Sequence, residues 1–271
     1  MLPAVAGVLV TLALTLLLLP TLALLLRTPW SDLVELLRAP VVAPALRLSL
    51  LVSLVSLGLS VALGVPLAWG LARARFPGKR LVRALCVLPM VLPPVVGGVG
   101  LLAAFGRRGL FGRPLAETFG ITLPFSTTAA VLAATFVAMP FLVVTVEAGF
   151  RTVDPRYEAA AATLGASRWT VFRRVTLPLL RPSLVAGMAL AWARALGEFG
   201  ATITFAGNLP GRTQTVPLAV YLELERDLDA ALALSFVLLA VSVAVLVLLR
   251  DRYLGVGGDD PVARRREAGA P

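Results

Sequence analysis

Six stretches of this chain are apolar over the length of a membrane-crossing helix: about Leu2–Leu26, Leu48–Ala72, Ala84–Phe105, Ser126–Phe150, Ser183–Phe205 and Ala230–Leu249. A hydrocarbon layer about 30 Å thick takes about 20 apolar residues in helical form, and the backbone inside it must satisfy its own hydrogen bonds. Only helices or a closed barrel meet that demand, and a barrel would show strict apolar–polar alternation, which these stretches lack. With 58% of its 271 residues hydrophobic, the chain carries more apolar surface than a soluble core could hide. The expected fold is therefore all-α: a polytopic membrane protein with six transmembrane helices.

Within that frame the breakers and small residues give detail. No Lys or Arg precedes the first run, which continues to Leu26, so it reads as a first membrane helix rather than a cleaved signal. Residues 27–46 are expected as a loop broken by Pro29, Pro40 and Pro44, with Trp30 as an interface anchor. The second span is rich in Ser, Gly and Ala, which let helices approach closely. The third contains Pro89, Pro93 and Pro94, then Gly97-Gly98-Val99-Gly100. That order predicts a helix irregular at its start and smooth beyond, serving either packing or a pathway lining. Loops are expected over 106–125 and 206–229. A single membrane domain over 1–254 is expected to precede a disordered cytoplasmic tail, 255–271, rich in Gly, Asp and Arg.

Charge narrows the function classes. The net charge is +10, yet the basic residues lie between apolar spans, which excludes a nucleic-acid partner. There is no His, and Cys86 is the one cysteine, so no disulfide or Cys/His metal site is built within one chain. With both termini in the cytoplasm, segments 73–83, 151–182 and the tail from Arg250 hold sixteen Lys and Arg. Eight lie outside: Arg27, Arg38, Arg47, Arg107, Arg108, Arg113, Arg212 and Arg226. The bias favours this orientation, although Arg107, Arg108 and Arg113 run against it. No internal repeat is visible, which removes support for an inverted-repeat secondary transporter.

The one long polar and basic segment inside the greasy chain runs from Arg151 to Pro182. Asp154-Pro155 is an N-cap and first-turn pair, and Ala159–Ala162 favours helix. Leu164-Gly165 reads as a stop. Ser167 caps a second helix carrying Arg168, Arg173 and Arg174. Pro178 is expected to break that helix and Pro182 to start the next. A basic loop that only fixes topology and a stiff surface for a soluble partner both fit this pattern.

Charges also fall inside the spans. Arg194 and Glu198 sit four residues apart on one helical face of the fifth span. An ionised group at the bilayer centre costs about 2.5–3.5 kcal/mol on insertion scales, so the pair should face the protein interior or a cavity. Glu147 is expected at the interface, near the cytoplasmic end of the fourth span. Gly207-Asn208-Leu209-Pro210-Gly211 is turn-rich, and Glu223, Glu225, Asp227 and Asp229 make the next stretch acidic.

The Arg151–Pro182 segment resembles the signature loop of the membrane subunits of bacterial ATP-binding-cassette (ABC) importers: E-A-A, three residues, G, nine residues, then I-x-L-P. Gly165 matches the glycine, Ala160 and Ala161 the two alanines, and Val175, Leu177 and Pro178 the final element. The family's Glu falls at Ala159, and this chain has Glu158 one place earlier. The resemblance covers about Leu46–Leu249 and implies a type I ABC importer permease fold. It also implies that the loop is a coupling helix seated on a separate ATPase, present in two copies, around a homodimeric permease. No G-x-x-x-x-G-K-[ST] phosphate loop is present, so ATP with magnesium belongs to that partner and no cofactor is expected on this chain.

A narrower resemblance comes from ARALGEFGATITFAGNLPGRTQTVPLAVY at 193–221, LPPVVGG at 92–98 and VAMPF at 137–141. These are similar to the molybdate permease branch, with sulfate, thiosulfate and tungstate permeases as neighbours. The resemblance implies a periplasmic or lipid-anchored molybdate-binding protein that docks near Asn208 and Gly211. The acidic stretch after it is either a solvated loop or part of that docking face. Arg194, held by Glu198, would lend positive potential to an anion path that Thr202 and Thr204 could line; a lock between helices and ordinary packing are the alternatives. A bacterial inner-membrane location follows. No bond in the cargo is broken, so the subunit is expected not to be an enzyme. A membrane-embedded enzyme would need convergent acids or His, and a channel would need no ATPase-docking loop.

Overall fold

The computed structural model describes residues 4–253. Thirteen α-helices are formed among them: α1 (Ala4–Arg27), α2 (Leu33–Leu37), α3 (Val42–Arg73), α4 (Lys79–Val91), α5 (Pro94–Phe105), α6 (Gly112–Phe119), α7 (Thr127–Thr152), α8 (Pro155–Thr163), α9 (Arg168–Val171), α10 (Leu177–Leu196), α11 (Gly200–Phe205), α12 (Val216–Glu223) and α13 (Leu228–Tyr253). A π-helical turn, Phe172–Thr176, joins α9 to α10. The proposed tail, 255–271, lies outside the described residues.

Helix α7 is the axis of the bundle, packed along α3 on one side and α10 on the other. Close approach is possible because the facing surfaces are small. On α3, Ser49, Ser53, Ser56, Ser60, Gly64 and Ala68 are buried at helical spacing. On α7, Ala129, Ala130, Ala133, Ala134 and Ala138 are fully buried. Such surfaces bring backbones together where lipid offers no hydrophobic incentive to associate. The approach is close enough for Ser56 Oγ to donate across to the Val131 carbonyl at 3.0 Å. A Cβ on Gly64 would come within 2.9 Å of Leu142. Helix α1 stands apart: its span buries nothing, and it leans on α13. Beside it the Trp30 ring meets Phe236 edge-on at 5.0 Å while its indole N–H is held by the Leu25 carbonyl.

Five helical spans are long and apolar enough to cross a bilayer, and α4 with α5 makes a sixth if the bent pair is counted as one. That pair is not the single helix, irregular only at its start, expected for the third span. The two helices meet at 119°. Leu92 and Pro93 both precede a proline and are pushed to extended conformation, with ψ of 136° and 131°. Pro94 then opens α5 at a position where its missing N–H costs nothing. Gly97 and Gly98 beyond the bend pack closely, whereas a Cβ on Gly100 would meet nothing within 4 Å. A Cβ on Gly98 would sit 2.7 Å from Thr204 Cβ and 3.0 Å from the Ala201 carbonyl, and one on Gly97 would strike Phe136 at 2.9 Å.

Three other boundaries differ from expectation. Helix α3 begins six residues early, because Pro44 falls in its first turn, where a proline needs no N–H partner. The expected break at Pro178 is absent: residues 168–196 form one continuous helical span. The π turn there takes up the strain, with the Leu177 N–H bonded to Phe172 O, five residues back. The fifth span ends at Leu196 rather than Phe205, and Gly197-Glu198-Phe199 separate it from the short α11. Finally, the expected loops at 106–125 and 206–229 contain α6 and α12. The N–H of Val216, in the first turn of α12, donates to Ser49 Oγ of α3 at 2.7 Å.

Candidate functional site: the knuckle and the intramembrane ion pair

The segment between α7 and α10 folds as two short helices around a glycine turn. Asp154 accepts the Arg156 N–H at 2.9 Å and Pro155 occupies the first helical position of α8. At its far end the Gly165 N–H reaches the Ala162 carbonyl and the Ala166 N–H reaches the Ala161 carbonyl. This pair of bonds closes the helix through a left-handed residue, and Gly165 has φ of +82°. Ser167 Oγ accepts the Thr170 N–H to begin α9. Both helices are thus capped, α8 at its two ends and α9 at its start, and the segment is a stiff knuckle. Gly165→Ala is expected to cost about 1–2 kcal/mol locally, since an L residue resists that φ. Faster proteolytic nicking within 151–182, with the membrane helices still protected, would register it.

The outward surface of the knuckle sets apolar side chains among basic ones, with Arg156, Arg168, Arg173 and Arg174 exposed. Tyr157, Leu164 and Trp169 are exposed, Leu164 almost completely at 88%. Ala160, Gly165 and Pro178 are also exposed, while Ala161, Val175 and Leu177 are half-buried. Trp169 stacks on Phe172 with ring centres 5.8 Å apart. Glu158 departs from this outward set. Its Oε1 accepts from Thr176 Oγ1 at 3.0 Å and lies 3.5 Å from Arg73 Nη2.

A second carboxylate anchors the roots of the bundle. Glu147, expected at the interface near a span end, is buried within the bundle, with 8% of its side chain exposed. Its Oε1 accepts from Arg83 Nη2 and from Arg151 Nη2, each at 2.6 Å, and Arg83 Nη2 also reaches the Leu71 carbonyl at 3.3 Å. One acid thus ties α3, α4 and α7 together. Arg73, Arg83 and Thr176 were not legible as partners in the sequence, because the pairs span 18 to 85 residues.

Arg194 and Glu198 do pair, with Nη1 and Oε2 2.6 Å apart. They do so without sharing a helix: Arg194 closes the last turn of α10, where a cation suits the helix dipole, and Glu198 stands in the break. Glu198 Oε1 accepts the Ala201 N–H at 2.7 Å and so opens α11. Its Oε2 makes a close ionic contact with the guanidinium but no aligned hydrogen bond. Only 1% of the Glu198 side chain is exposed, against 25% of Arg194. Thr202 is buried, and Thr204 turns its hydroxyl to the Gly200 carbonyl at 2.8 Å, so neither hydroxyl stands free in an open cavity.

On the opposite side, the loop 206–215 is knotted by hydrogen bonds. The Leu209 carbonyl accepts from the N–H groups of Arg212, Thr213 and Gln214, and Asn208 Nδ2 donates to the Leu218 carbonyl at 3.3 Å. Asn208 is thereby turned inward, while Gly211 is exposed with φ of +70°. Thr213, Gln214 and Thr215, an unremarked polar run in sequence, are buried beneath the loop. Asp227, one of the acidic residues beyond it, accepts the Asp229 and Ala230 N–H groups in the first turn of α13.

The family described as "Binding-protein-dependent transport system inner membrane component" matches residues 60–255. This chain belongs to that family. As a member it is a multi-pass inner-membrane permease component, and its role is transport rather than catalysis. It is 50% identical over 226 residues to "Molybdenum transport system permease protein ModB" of Mycobacterium bovis, covering 83% of each chain. It is 40% identical over 212 residues to "Sulfate transport system permease protein CysT" of Escherichia coli K12, covering 77% of this chain and 76% of that one. A bacterial ABC transporter that imports the acidic polysaccharide alginate shares the fold, with a TM-score of 0.71 at 17% identity over 94% of this chain and 96% of that one.

Proposed function

We propose that this chain is the permease subunit of an ATP-driven importer of molybdate. The reading is carried by the 50% identity to a molybdenum permease over most of both chains, together with the capped knuckle that exposes Leu164 and Trp169 among basic residues. Two copies of the chain enclose the path, and the knuckle of each seats on one of two ATPase subunits. ATP with magnesium is bound by those partners, and this chain holds no cofactor. A periplasmic or lipid-anchored binding protein delivers the oxyanion at the opposite face, near the loop carrying Asn208 and Gly211. Both termini lie in the cytoplasm, which places the knuckle there as well. Leu164, Trp169, Ala160, Gly165 and Pro178 form its outer contact surface, with Ala161, Val175 and Leu177 supporting it.

Within the path, Arg194 supplies positive potential to a doubly charged tetrahedral anion, and Glu198 fixes its position. A weak site suits transport, since tight binding would trap the cargo. Thr202 and Thr204 shape the wall beside the pair. ATP acts by a differential preference for two states of the permease, not by contact alone.

A sulfate permease is the second reading, favoured by the 40% identity to a sulfate transport subunit. Proteoliposomes containing this chain, its ATPase and its binding protein separate the two. ATP-dependent uptake of labelled molybdate that survives a large excess of sulfate is expected. Uptake abolished by sulfate would transfer the assignment to the sulfate branch. Uptake at full rate with no ATPase present would remove the importer reading altogether.

A further inference from the structure

Glu158 faces the wrong way for an outward contact. Tyr157, Ala159 and Ala160 on the same helix are exposed, whereas Glu158 is half-buried against the membrane roots. One position along an α-helix is a rotation of about 100°, so a carboxylate at 158 points inward where one at 159 would point out. Two elements converge on it. Thr176, 3% exposed, belongs to the π turn at the root of α10. Arg73 ends α3, and its Nη2 also donates to the Val153 carbonyl at 2.9 Å, immediately before the cap of α8. Helix α8 itself buries no residue. Beneath it lies a cleft of about 340 Å³ whose walls include Trp69, Ala162, Phe172, Glu158 and Thr176. The knuckle is thus held across a gap, and polar bonds rather than apolar packing tie it down.

We propose that Glu158 is a positioning residue that fastens α8 to α3 and α10, so that a displacement of the knuckle reaches both membrane helices, and that it is not a contact to the ATPase. The inference rests on the reading of the chain as an ATP-driven importer. The test uses the complete importer in proteoliposomes, with anion uptake and ATP hydrolysis measured together and ATPase retention measured by pull-down. Glu158→Ala is expected to lower molybdate moved per ATP by about fivefold, a typical coupling effect, with ATPase retention unchanged. Glu158→Gln, which keeps the shape and loses the charge facing Arg73, should fall between. Thr176→Val, close in volume, is expected to impair coupling by itself and to add nothing in the Glu158→Ala background. Lost ATPase retention in Glu158→Ala, unchanged uptake per ATP, or additive effects of the two substitutions would each overturn the proposal. A wild-type complex that fails to couple uptake to ATP would instead overturn the importer reading.

Discussion

Glu147→Ala is expected to destabilise the protein by about 3 kcal/mol. Removing one member of a buried ion pair costs about 3–5 kcal/mol, because the remaining charge is left without compensation. The lower end applies here, since Arg83 and Arg151 are 35% and 53% exposed at their side chains and can recover water. Even so, three helices lose their common tie, because Arg83 bridges Glu147 to the Leu71 carbonyl at the end of α3. Arg151→Ala should cost much less, as it leaves the Arg83 pairing intact. Thermal unfolding of the purified chain in nanodiscs measures both. A Glu147→Ala variant within about 0.5 kcal/mol of wild type, the range of ordinary surface changes, would show that this acid is not the anchor of this end of the bundle.

Arg194→Ala carries the largest functional effect: uptake is expected to fall more than about tenfold, equivalent to 1.4 kcal/mol. Two causes need separation. Glu198 would be left with its carboxylate buried and unpaired, a structural loss, and the proposed path would lose its positive charge. The double variant Arg194→Ala with Glu198→Gln distinguishes them. The glutamine keeps an acceptor for the Ala201 N–H and carries no charge, so stability should return. If uptake returns with it, the pair is a lock between α10 and α11. If uptake stays low in a stable protein, Arg194 acts on the anion.

What could be read from the sequence followed local rules. The apolar lengths marked the spans, and Asp154, Pro155, Gly165 and Ser167 marked the knuckle within a residue of its observed caps. Each of these signals lies within one helical turn of what it controls. The misplacements came from prolines read one at a time. Pro178 and Pro182 suggested a break, but a π turn accommodates Pro178 without ending the helix. Pro93 and Pro94 suggested local irregularity, but two consecutive prolines fix two extended residues and turn the chain by 119°. The anchoring role of Glu147 was hidden for a different reason. A carboxylate near a span end resembles an interfacial one until the arginine 64 residues away is seen to reach it.

The π turn at 172–176 has a geometric consequence for everything beyond it. A π turn carries one residue more than the α-helical turn it replaces. That extra residue sets the azimuth of α10: deleting one residue there would swing its far end by about 100°. Arg194 would then face a different side of the bundle, although it had not itself been altered. The aim of the membrane cation is therefore indexed at the opposite end of the helix, beside the carboxylate of the knuckle.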